Sequence, residues 1–151
     1  MKHFLDSSVL IPVFMADHEH HLDSLRLFQR CRRDQACCSA HSLAEVYSTL
    51  TRLPPPHRVP PDRAVTFLES IHSRLSLVTL DGEVVMEAIR EAAANRVSGG
   101  TIYDALIARC ALQSGAERIM TWNVRHFQLL GIEVVRRIGT PADEGLSSIT
   151  Q

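Results

Sequence analysis

The chain has 151 residues, of which 45% are hydrophobic and 22% charged. That composition excludes disordered and collagen-like chains, and the length supports one core without staples. Its 16 basic and 17 acidic residues leave a formal net charge of −1. There is thus no bulk attraction to nucleic acid, and any contact with RNA or DNA must come from a local patch.

The longest apolar stretch, Val9 to Ala16, is interrupted by Pro12 and is too short to cross a bilayer. Asp6 separates it from Lys2, and no small-residue cleavage pattern follows, so it does not read as a signal peptide and a cytoplasmic protein is expected. Cys31, Cys37, Cys38 and Cys110 lack the C-x-x-C spacing of a zinc or redox site. They read as small buried apolar residues in a reducing compartment.

The run His3-Phe4-Leu5 predicts a strand that stops at Asp6, with Ser7 or Ser8 capping a helix through Phe14. A second helix is expected from His20 to Arg33, and a strand of small residues from Ala36 to Ala40. Leu43, Val46, Tyr47, Leu50 and Leu53 fall on one face of a third helix, which Pro54-Pro55-Pro56 ends. Pro60-Pro61 opens another, followed by a strand at Leu77–Leu80 and a helix capped by Asp81. After Gly99-Gly100 comes a helix from Ile102 to Ser114, closed by Gly115. Arg118–Thr121 and Ile132–Val135 read as the last two strands, joined by a short helix around Phe127. Residues 1–138 form the expected domain, and 139–151 read as a flexible tail rich in Gly, Pro, Ser and acids.

Strands alternating with helices predict an α/β domain with a parallel sheet covered on both faces. Ligands of such sheets bind beyond the carboxyl ends of the strands, where the strand order reverses. Asp6 and Asn123 each follow a predicted strand directly, although Asp6 also reads as a plain helix cap. Glu45 and Asp104 each complete a [ST]-x-x-[DE] capping box, with Ser42 and Thr101. For Glu45, which lies opposite the apolar stripe of its helix, that structural reading is the stronger. Asp104 stands near the start of a helix that is apolar nearly all round. Its burial needs a compensating cation, and Arg109 lies about 140° around the helix, so a hard divalent ion fits better.

Several other features read as structural. Asp17–His21 has the look of a solvated helix start without H-E-x-x-H register, and Trp122 and Tyr47 read as isolated packing aromatics. His126 stays outside the expected catalytic set. Arg30, Arg32 and Arg33 form a solvated turn, and Arg125 is the better candidate for holding RNA. A phosphotransfer domain built on Asp6 fails for want of D-x-D, and a receiver domain fails because Lys2 is the only lysine.

Taken in order, Phe4-Leu5-Asp6-Ser7-Ser8-Val9-Leu10, Ser42-Leu43-Ala44-Glu45-Val46, Tyr103-Asp104-Ala105-Leu106-Ile107-Ala108 and Thr121-Trp122-Asn123-Val124-Arg125-His126-Phe127 resemble the PIN-domain ribonucleases. In size and layout the chain resembles the VapC-type toxins of type II toxin–antitoxin pairs, over roughly Lys2 to Arg137. The resemblance implies a three-layer α/β/α domain with a five-stranded parallel sheet and an acidic cleft. It implies that Asp6, Glu45 and Asp104 bind Mg²⁺ or Mn²⁺, that Asn123 completes the site, and that the reaction is hydrolysis of an RNA phosphodiester. A cognate antitoxin, seated on the helices spanning His20–Arg33 and His41–Leu53, and a homodimer are implied likewise. Many relatives carry Asp at the position of Asn123 or His126. Without that charge one resident ion is expected here, a second arriving with substrate. A degenerate domain that binds RNA or protein without cutting is the alternative.

Overall fold

Short runs of small and branched residues supply the strands of the computed structural model, which describes residues 1–146. They are β1 (His3–Leu5), β2 (Ala36–Ser39), β3 (Ser76–Val78), β4 (Arg118–Met120) and β5 (Ile138–Gly139). All pair in parallel, in the order β3-β2-β1-β4-β5. The register sets Phe4 beside Cys37 and Ile119, and Leu5 beside Met120.

Alternation along the strands divides the interior in two. Leu5, Cys38 and Met120 face one core, shared with α1 (Ser7–Val13), α2 (His21–Arg30), α3 (Ala40–Arg52) and α4 (Pro61–Arg74). Phe4, Cys37 and Ile119 face the other, shared with α6 (Thr101–Gln113), α7 (Val124–Phe127) and α8 (Ile132–Val135). The helix α5 (Gly82–Ala94) packs against α6, and α9 (Pro141–Leu146) against α2. The result is the three-layer α/β/α architecture with a five-stranded parallel sheet. Among the described residues no helix is long and apolar enough to cross a membrane.

The structure differs from the sequence reading at several places. Asp6, not Ser7 or Ser8, is the N-cap of α1 and accepts from the Ser8 amide. Neither capping box forms. Ser39 caps α3 and leaves Ser42 buried inside the helix, while Gly100 precedes α6 with no side-chain cap. The second helix ends at Arg30, three residues short of Arg33.

Ile132–Val135 is a single helical turn rather than a strand, entered through Gly131 at φ 95° and burying only Val134. The edge beside β4 belongs to Ile138–Gly139, where the Ile119 amide donates to Arg137 O (2.7 Å) and the Thr121 amide to Gly139 O (3.0 Å). A side chain at Gly139 would have to displace the Arg118 guanidinium that lies over it. Gly139 and Pro141–Leu146, expected to fray, instead sit in β5 and α9; residues 147–151 of that segment lie outside the described residues. The helix α6 is buried along Ile107, Ala108, Cys110 and Ala111 rather than all round, and Tyr103 is 53% exposed.

Candidate functional site

From β1 the chain runs outward through β2 to β3, then crosses back to β4 on the other side of β1 and on to β5, so the strand order reverses between β1 and β4. A crevice at the carboxyl ends of those two strands is the expected ligand position in such a sheet. Asp6 leaves the end of β1 there, its amide held by Met120 O at 3.0 Å, and is only 2% exposed.

The Asp6 carboxylate is fixed through one oxygen. Oδ2 accepts the Ser8 hydroxyl at 2.6 Å and the Thr121 hydroxyl at 2.9 Å, with a longer contact from the Ser8 amide at 3.4 Å. Each hydroxyl has a single proton, so both protons are committed to Asp6. The hydroxyl oxygens then accept backbone amides, Ser8 Oγ from Trp122 at 2.9 Å and Thr121 Oγ1 from Asn123 at 3.0 Å. This arrangement ties the β1–α1 turn to the segment after β4 and turns Asp6 into a charged acceptor of fixed orientation.

Glu45 and Asp104 enter from the two flanking layers. Glu45 is on the first turns of α3, and its side chain is 27% exposed rather than solvated. Burial pushes its carboxyl above the usual range, and the charges of Asp6 and Asp104 push the same way, against Ser7 and His41. Its Oε2 is buried with no hydrogen-bond partner. Asp104, 21% exposed on the first turn of α6, is also raised by burial and by Asp6, partly offset by His126, whose Nδ1 lies 3.3 Å from Oδ2. Arg109 is occupied elsewhere, bonded to Glu91 on α5.

Three sequence-predicted carboxylates are thus within electrostatic reach of one another. Asn123 is placed differently. It is the N-cap of α7 with an exposed side chain that makes no cap bond, and only its amide joins the network. Ser8, read from sequence only as a candidate helix cap, Thr121, and His126, left outside the catalytic set, all contact the site carboxylates. The signal for the first two was present in the quoted segments: a hydroxyl two residues after Asp6, and a hydroxyl two before Asn123.

Among the described residues no group of three or more His, Cys, Asp and Glu side chains converges tightly enough to hold a metal by protein ligands alone. The donor set nevertheless suits a small hard cation. An unpartnered buried carboxylate oxygen on Glu45 and an Asp6 carboxylate oriented through Oδ2 alone match an ion that takes one or two carboxylates and keeps several waters.

Comparisons with known proteins agree with this frame. The chain is 35% identical over 132 residues to ribonuclease VapC40 of Mycobacterium tuberculosis, covering 85% of this chain and 94% of that one. Its fold is similar to the crystal structure of M. tuberculosis VapC20, described as a sarcin–ricin loop cleaving toxin, with a TM-score of 0.66 and 18% identity over 87% of this chain and 98% of that one. It is also similar to VapBC2 from Rickettsia felis, bound to a DNA fragment of its promoter, with a TM-score of 0.63 and 17% identity over 93% of this chain and 98% of that one. Residues 3–130, from the first strand to the turn before α8, match the PIN domain, and the chain belongs to the PIN-domain family.

Proposed function

We propose that the chain is a divalent-metal-dependent endoribonuclease and the toxin of a toxin–antitoxin pair. The observation that carries this reading is the Asp6 carboxylate held by two hydroxyls at the strand-order switch, beside Glu45 and Asp104. Such a cluster costs stability unless a cation offsets it, and it is maintained here by a dedicated hydrogen-bond network. The 35% identity to a ribonuclease over most of both chains favours the same chemistry.

In this reading Asp6 and Asp104 would hold Mg²⁺ or Mn²⁺, and Glu45 would orient a water or act as the base. A bound ion of this kind supplies an activated water and offsets charge on the phosphate. Ser8 and Thr121 hold the Asp6 carboxylate in one orientation through Oδ2. Glu45, with its carboxyl raised by burial and neighbouring charge, is suited to accept a proton from water attacking the phosphorus. Asn123, exposed at the rim, offers an amide to a water or a phosphate oxygen without adding charge. RNA is the substrate, and Arg125, exposed on α7, lies two residues on from Asn123 to meet its backbone. An antitoxin segment on the α2 and α3 surfaces and a homodimer, both implied by the family resemblance, complete the proposal.

A binding module without catalysis is the second reading, favoured by Asn123 and His126 standing where many relatives have carboxylates. One experiment separates the two. Purified chain, freed of any partner, is incubated with RNA in Mg²⁺, Mn²⁺ or EDTA, beside Asp104→Asn. Metal-dependent cleavage that is absent from the variant is expected; intact RNA from a folded wild type in both metals would instead leave the binding module.

A further inference from the structure

Two histidine–aromatic stacks flank the acidic cluster, and they differ in what else holds them. His20 stacks on Trp122 with centroids 3.8 Å apart and planes 6° from parallel. That pair is absorbed by packing, since Trp122 donates Nε1–H to Ser24 Oγ at 2.9 Å and lies against the first core. The second pair, His41 with Tyr103, has centroids 5.8 Å apart and planes within 7°. It belongs to neither core. Tyr103 is 53% exposed and the His41 side chain 54%.

Their positions are set by the site. His41 stands one helical turn before Glu45 on α3, its Nε2 3.8 Å from Glu45 Oε1, and Tyr103 immediately precedes Asp104 on α6. A parallel, offset pair of this spacing is a common aromatic geometry, and here it bridges the two helices that deliver Glu45 and Asp104.

A polyanion approaching this site meets carboxylates, on a chain whose net charge is already −1. Phosphate contacts alone are a poor grip there, whereas stacking on a nucleobase is independent of the charge beneath it. Two rings held parallel before binding also reduce the ordering cost of a third. We propose that Tyr103 and His41 form a stacking platform for a nucleobase of single-stranded RNA, beside the phosphate presented to the acidic cluster. This inference rests on the ribonuclease reading. The platform is tolerant of base identity, because every base has a π face.

The test measures binding of a fluorescein-labelled single-stranded oligoribonucleotide by anisotropy in Ca²⁺, with cleavage followed separately in Mn²⁺. Tyr103→Ala is expected to weaken binding about 10-fold, Tyr103→Leu to weaken it similarly, and Tyr103→Phe to keep wild-type affinity. The thermal midpoint should be the same for all, as the ring is outside the cores. Wild-type affinity in Tyr103→Ala or in Tyr103→Leu overturns the platform and leaves the nuclease reading standing. A wild-type chain that neither binds nor cleaves the RNA overturns both.

Discussion

Two hydroxyl protons spent on one carboxylate oxygen set what can change at Asp6 without loss. Removing either donor leaves a nearly fully buried acceptor with fewer partners and frees the carboxylate to rotate. Thr121→Val keeps the shape of the side chain, and Ser8→Ala removes only the oxygen. Each is expected to weaken Mn²⁺ binding by about 10- to 100-fold, as loss of an outer partner of a metal ligand does, measured by calorimetric titration. Because each hydroxyl also accepts an amide from the other side of the crevice, the double variant should cost less than the sum of the two. The residues meeting at Asp6 show what a sequence can carry. Asp6 itself was legible because it follows an apolar run directly. Its partnership with Thr121 was not, since those residues are 115 positions apart and only the β1–β4 pairing joins them.

At the scale of the element, the helix starts decide which carboxylates are available. The motifs Ser42–Glu45 and Thr101–Asp104 fit capping boxes, in which the acid would turn back onto its own helix. The structure starts α3 three residues earlier, with Ser39 Oγ accepting the His41 amide at 3.1 Å, and releases Glu45 toward Asp6. Ser39→Ala is therefore expected to destabilise the fold by about 1 kcal/mol, whereas Ser42→Ala, which removes a buried hydroxyl without a partner, should cost less or stabilise. Urea unfolding of the two variants checks the contrast. While α6 was legible from its flanking glycines and apolar run, periodicity predicted α3, which buries Val46 and Leu50 of its stripe. It failed at Ile132–Val135, where a β-branched run is also one helical turn and tertiary packing, through Gly131 and the edge strand at Gly139, made the choice.

For the molecule as a whole, the acidic cluster couples metal, pH and stability. Glu45 and Asp104 both titrate above their usual range in the folded chain, with burial the largest cause. The folded chain then holds protons that the unfolded chain has released, so stability falls as pH rises from the ordinary carboxylate values through the raised ones. Metal-free Glu45→Gln should thus melt a few degrees above wild type at neutral pH, and the difference should vanish once the solution is acid enough to protonate the unfolded carboxylate. Added Mn²⁺ should reverse the order, because it binds the folded wild type and requires the ionised form. Calorimetric scans with and without metal across that pH range measure both effects.

The same layered build governs the thiols. Cys37 and Cys38 are neighbours in β2, yet they point into opposite cores, where Cys110 and Cys31 respectively also lie. Burial pushes Cys31 and Cys38 up to about 12 and raises the other two, so all four are held as unreactive thiols. An oxidant reaches them only when a helical layer lifts from the sheet. The chain's chemical lifetime in an oxidising medium is therefore governed by how often it opens, and each side of the sheet keeps its own record of that opening.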